Sequence, residues 1–212
     1  MAARKTTARR SRYSVHPGVL MVQKWVATLK EKSGRSLEEW LALVEKEGPA
    51  DLKERREWLK NNYGLGTNTA WWIADRSLGL STEDDDPEKY LEAAEGYVEK
   101  MFSGPKAGLS PIYERLLDLG LSLADDVKAS PCQTIVPFYR NYVFAQIKPS
   151  TRTRIDLGLA LGKYTKKLPD YIIDTGGAAK KDRITHRIAI SSIEDINDDV
   201  ERWLRVAYDL DA

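Results

Sequence analysis

Between Asn141 and Gly162 apolar and polar residues alternate in two runs separated by Pro149-Ser150-Thr151. In the first run Val143, Ala145 and Ile147 alternate with Tyr142, Phe144, Gln146 and Lys148; in the second Ile155, Leu157, Leu159 and Leu161 alternate with Arg154, Asp156, Gly158 and Ala160. Side chains two apart on a strand share a face, so the pattern predicts two strands joined by a short turn. Paired antiparallel, they would cover helices with their aliphatic residues. The opposite face would carry Tyr142, Phe144, Gln146, Lys148, Arg154 and Asp156.

The flanking sequence changes period. Pro17 suits a first helical position, and Val19, Val22, Val26 and Leu29 recur at helical intervals, predicting a helix to about Lys32. Ser36 with Glu39 forms a capping box ahead of Leu37, Leu41 and Val44; Asp51 opens a third helix and Thr67 a fourth, closed near Gly79. Five of the six tryptophans fall in this segment, as the large rings of a small bundle core. Trp71 and Trp72 are neighbours about 100° apart on a helix, so both cannot point inward.

The run STEDDDP, residues 81–87, reads as an acidic, unfolded linker. Beyond it come two helices, carried by Tyr90 to Phe102 and by Ile112, Leu116, Leu119 and Leu123, with Ser110 and Pro111 at the start of the second. A strand from about Gln133, marked by Pro137 as an edge or a bulge, precedes the two alternating runs. Weaker strand signals lie at Tyr171–Asp174 and Arg183–Ser191. A last helix is expected from Ser192 and Asp195 through Ala207, along Ile193, Ile196, Val200, Trp203 and Leu204. The predicted fold is therefore α+β: an N-terminal four-helix module followed by a mostly antiparallel sheet packed on one side by three helices. The expected boundaries are a basic flexible arm at 1–14, the helical module at 15–80, the linker at 81–87 and the sheet domain at 88–212.

Charge refines this outline. Over 212 residues, 33 Lys and Arg meet 32 Asp and Glu, so net charge alone selects no partner. Its distribution does. From Lys128 to Arg187 twelve bases face four acids, a local excess of +8, and Arg4, Lys5, Arg9, Arg10 and Arg12 make the arm basic. That arm is either a solvated tail or a screen for nucleic-acid phosphate. Cys132 is the only cysteine, which excludes an internal disulfide and suits a reducing cytoplasm. No apolar run approaches the ~20 residues of a membrane span, and the basic start lacks the apolar stretch of a signal peptide. The expected location is cytoplasmic, away from membranes.

Four segments resemble two known families. FAQIKPSTRTRIDLGLAL and THRIAISSIEDI are similar to the bacterial family catalogued as domain of unknown function 5655. SGRSLEEWLALV and WLKNNYGLGTNTAWWIA are similar to the small helical family numbered 4287, often found just ahead of it. The resemblance implies the domain order and an α+β second domain. It implies no catalytic residue.

No catalytic motif stands out. His186 lies on the aliphatic parity of its strand, and with Cys132 it could form a nucleophile and base only if the fold brought the two together. His16 and His186 are the only histidines, and the acidic run reads as solvated, so neither a metal nor a cofactor is expected. Gly176-Gly177-Ala178-Ala179-Lys180-Lys181 lacks the spacing of a phosphate-binding loop. The candidate site is the polar sheet face: Tyr142, Phe144, Gln146, Lys148, Arg152, Arg154, Asp156 and Arg187. Aromatics among bases suit stacking on, and pairing with, a nucleotide or nucleic acid, and Gly158, Ala160 and Ala189 are small enough to leave a hollow there. Two readings stay open: a non-catalytic binding protein for an anionic ligand, or a structural adaptor whose same face makes a homodimer or inter-domain contact.

Overall fold

A computed structural model describes residues 11–212; the arm expected at 1–14 lies outside them up to residue 10. The described chain divides into two compact units, Val15–Tyr90 and Leu91–Ala212, and Ser11–Ser14 belong with the second.

The first unit holds α1 (Pro17–Ala27), α2 (Leu29–Ser33), α3 (Leu37–Glu47), α4 (Leu52–Tyr63) and α5 (Thr67–Ser77). The single helix expected from Pro17 is broken at Thr28, whose hydroxyl donates back to the carbonyls of Lys24 and Trp25. The capping box of Ser36 and Glu39 starts α3, and Gly34 and Gly64, both at positive φ, stop α2 and α4. Trp40, Val44, Leu59, Ala70, Ile73 and Ala74 are buried at its centre. Of the neighbouring tryptophans, Trp72 packs edge-on against Trp25, while Trp71 stays exposed with Arg56 stacked over it at 5.0 Å.

The acidic run is not the unfolded linker the composition suggested. The Trp72 indole donates to Asp84 at 3.1 Å, Arg76 pairs with Asp85 at 2.6 Å, and Gln23 donates to the Asp85 carbonyl at 2.9 Å. Partners on α5 claim the carboxylates of Asp84 and Asp85, and one on α1 holds the backbone of the run. The division between units falls instead inside α6 (Pro87–Met101).

The second unit continues with a 3-10 turn (Gly104–Leu109) and α7 (Ser110–Ser122), then β1 (Lys128–Ala129), β2 (Val136–Tyr139), β3 (Val143–Pro149), β4 (Ile155–Leu159), β5 (Ile172–Asp174), β6 (His186–Ile190) and α8 (Asp198–Asp209). The strands form one sheet in the order β1-β2-β3-β4-β6-β5, every neighbouring pair antiparallel. One core joins the sheet to its helices, with Ile147, Ile155, Leu157 and Leu159 against Leu116, Leu117, Trp203 and Leu204, among others. Gly120 on α7 lets that helix approach Phe138 so closely that an added Cβ would lie 2.3 Å from the ring.

Two sequence expectations shift here. The last helix begins at Asp198 under an Asn197 cap, not at Ser192, because the Asp195 carboxylate accepts the N–H groups of Ser191 and Ser192 in a separate turn. The described end of the arm is also not loose. Arg12 pairs with Glu114 and Asp118 on α7, the Tyr13 and Tyr113 hydroxyls lie 2.7 Å apart, and the Ser14 N–H donates to the Ala129 carbonyl.

His16 caps α1 by accepting the Gly18 N–H on Nδ1 at 2.9 Å, and burial lowers its pKa below the usual histidine value. The neutral ring is the one that caps. Its contribution is therefore complete above the unfolded value near ~6.5 and is lost as pH falls through the lower folded value. In His16→Asn, which caps without titrating, the melting temperature of the helical unit should vary less between about pH 7 and 5 than in the parent, read by far-UV circular dichroism.

Candidate functional site

The alternation in β3 is interrupted by one residue. Phe138 pairs with Ala145 and Tyr139 with Val143, which leaves Phe144 as the extra residue of a β-bulge. Both Phe144 and Ala145 consequently enter the core, each with no exposed surface. Phe144 packs edge-on to Tyr208 at 5.6 Å and near Phe138 at 6.2 Å. Its expected place on the polar face is thus corrected: strict parity fails at the bulge. Tyr142 precedes the strand, is 61% exposed, and holds the Arg183 guanidinium 4.5 Å over its ring. The two rings are not a stacking platform.

The remaining candidates do meet on the sheet. Cross-strand register lines up Gln146, Gly158 and Arg187 in one row across β3, β4 and β6, and Lys148, Asp156 and Ala189 in another. No hollow opens at Gly158, because Ile184 and Gln146 lie over it so closely that an added Cβ would meet them at 2.6 and 2.8 Å. Asp156 gathers the charge. Arg187 donates to it at 3.0 Å and the Ser150 hydroxyl at 2.6 Å. The Arg154 Nε stands 2.9 Å from the same carboxylate without donating to it, while its terminal Nη2 donates to the other oxygen at 3.5 Å. Two arginines share one acid, which orients both and leaves them short of neutrality.

Beside this cluster opens a cleft of about 580 Å³. Lys100 comes from the end of α6, Lys106 from the 3-10 turn, Gln133 and Thr134 from the loop before β2, and Lys148, Ser150 and Arg152 from the β3–β4 hairpin. The Lys106 ammonium donates to the Pro149 carbonyl at 2.5 Å, which fixes it in the wall. Among the described residues none of Lys100, Lys106, Lys148 and Arg152 has a carboxylate partner, and no acid lines the cleft. A concave surface lined by one sign of charge attracts ions of the other. Lys100 and Lys106 escaped the sequence reading because they precede the basic stretch by more than twenty residues, and the SGPK turn signals only the end of a helix.

Cys132 and His186 are not brought together. Cys132 sits in the β1–β2 connection, whereas His186 lies on β6 beyond β3 and β4, about 14 Å away at ~4.8 Å per strand. The His186 Nδ1 is instead 2.9 Å from the Thr185 hydroxyl. Burial raises the Cys132 thiol above its usual value, and burial with that thiol nearby pushes Tyr139 up to about 12. Among the described residues no three metal-ligating side chains cluster, and no helix is long and apolar enough to cross a membrane.

The family model Domain of unknown function (DUF5655) matches residues 98–211, more than half the chain. The chain belongs to the DUF5655 family. A second model, Domain of unknown function (DUF4287), matches residues 21–76, in the helical unit. Neither a curated protein nor a solved structure matches the chain. Every cleft residue named above, from Lys100 to Arg152, falls inside the DUF5655 segment.

The bulge makes opposite forecasts for two rings two residues apart. Phe144→Ala should cost about 3–5 kcal/mol of unfolding free energy, as for a fully buried phenylalanine. Tyr142→Ala should cost under ~1 kcal/mol, the scale of an exposed cation–π contact. Urea denaturation of both variants measures the difference; equal losses would mean that Phe144 faces outward.

Proposed function

We propose that the chain is a non-catalytic binding protein of the cytoplasm whose sheet end takes an anionic, phosphate-bearing ligand. The observation that supports this most is the cleft of Lys100, Lys106, Lys148 and Arg152, four cations from three parts of the fold with no acid among them. Arg154 and Arg187, oriented by Asp156, extend the positive surface from the cleft along the sheet. Of the residues expected from sequence, Lys148, Arg152, Arg154, Asp156 and Arg187 keep a role in this reading. Tyr142, Phe144 and Gln146 do not. Nucleotide and nucleic acid both carry the required phosphates.

A homodimer across the same face is the second reading, favoured by Ile173. It is 40% exposed on the edge strand β5 and in register with Arg187.

Lys148 and Arg152 are exposed, so their alanine variants should keep the parent's stability within about 0.5 kcal/mol. Each should weaken binding of phosphate-bearing anions by roughly fivefold or more, with affinity falling as salt rises. Calorimetric titration with pyrophosphate, alongside sedimentation, separates the readings. A monomer that binds, and loses binding in the variants, supports the first. A tight dimer indifferent to anions supports the second.

A further inference from the structure

We propose that the cleft recognises a compact di- or triphosphate chain through its phosphates, without reading a base or a sugar. This narrows the anion-binding reading above and rests on it.

The shape of the site argues for a compact ligand. About 580 Å³ lies within the range of small-molecule sites, whereas proteins that follow a nucleic-acid strand spread their cations along a groove. Here the charges converge from α6, the 3-10 turn and the hairpin on one concavity. A point charge on Lys106, held in place by the Pro149 carbonyl, and the forked guanidinium of Arg152 suit phosphate oxygens on adjacent groups.

The chemistry of the lining argues against base recognition. Among the described residues no aromatic ring lines the cleft. The ring nearest in sequence to Lys148 on the same strand is Phe144, and it is buried in the core. Tyr142 lies six residues from Lys148, about 20 Å along an extended strand. Base stacking of the kind that gives nucleotide selectivity has no surface here. The neutral polar groups do not substitute for it. Ser103 and Ser150 already donate their hydroxyl protons to the Lys100 carbonyl and to Asp156, which leaves Gln133 and Thr134 as the neutral donors for a ligand. Two exposed donors supplement a phosphate site but cannot enclose a base edge.

Metal dependence follows from the same lining. With no carboxylate lining the cleft among the described residues, none there shares a magnesium ion with the phosphates, so the ion competes with the lysines for the ligand.

The test titrates the full chain, at constant ionic strength, with phosphate, tripolyphosphate, the four common nucleoside triphosphates and a mixed-sequence 12-mer oligonucleotide. Tripolyphosphate and all four nucleoside triphosphates should bind within about threefold of one another and about tenfold or more tighter than phosphate. Magnesium should weaken each of them. Lys106→Ala and Arg152→Ala should weaken all by a common factor. A tenfold preference for one base, tightening by magnesium, or tighter binding of the oligonucleotide per phosphate would overturn the phosphate-chain assignment while leaving an anion site. Absence of binding by every probe, or binding unchanged in both variants, would overturn the anion-binding reading as well.

Discussion

One extra residue in β3 governs what the sheet shows to solvent. With Phe144 bulged between the pairs Phe138–Ala145 and Tyr139–Val143, two consecutive side chains turn inward and a large ring is removed from the outer face. The bulge is held from the far end of the chain. Asp211, 3% exposed, accepts the N–H groups of Asn141 and Tyr142 just before the strand and pairs with Arg183 at 2.5 Å. A buried carboxylate is tolerable only when its oxygens are satisfied, and here both are. Arg183 completes the clasp by donating to the Val143 carbonyl and covering Tyr142. The segment 141–145, β6's approach and the end of α8 are thereby fixed to one another.

Periodicity made most of the architecture legible. The capping box at Ser36, the stops at Gly34 and Gly64, and the alternation of Ile155 to Leu159 are local signals, and each sets its own element. What escaped was settled by partners distant in sequence. The break at Thr28 depends on a hydroxyl's choice of carbonyl, and the order of the acidic run depends on Trp72, Arg76 and Gln23. Asp195 caps a turn where its spacing from Ser192 suggested a helix. The bulge left only a faint local trace, the consecutive apolar residues Val143, Phe144 and Ala145, and only pairing with β2 reveals the insertion.

The candidate site shows the same division. The excess of bases between Lys128 and Arg187 is readable as composition, but which bases converge is a matter of fold. Lys163, Lys166, Lys167, Lys180 and Lys181 stay on exposed loops, while Lys148 and Arg152 meet Lys100 and Lys106 from a segment that looked purely structural. Asp156 then ties Arg154 and Arg187 to the same end of the sheet, through Ser150 of the cleft wall. Cations without acids, and the absence of a ring among them, carry the account from fold to ligand chemistry.

Backbone amide shifts, followed by two-dimensional NMR as tripolyphosphate is added, test that account most directly. It predicts changes concentrated at Lys100 to Lys106, at Gln133 and Thr134, and at Lys148 to Arg152, with the amides around Tyr142 and in the helical unit unmoved. Changes centred on Tyr142 and Arg183, or none anywhere at millimolar ligand, would contradict it.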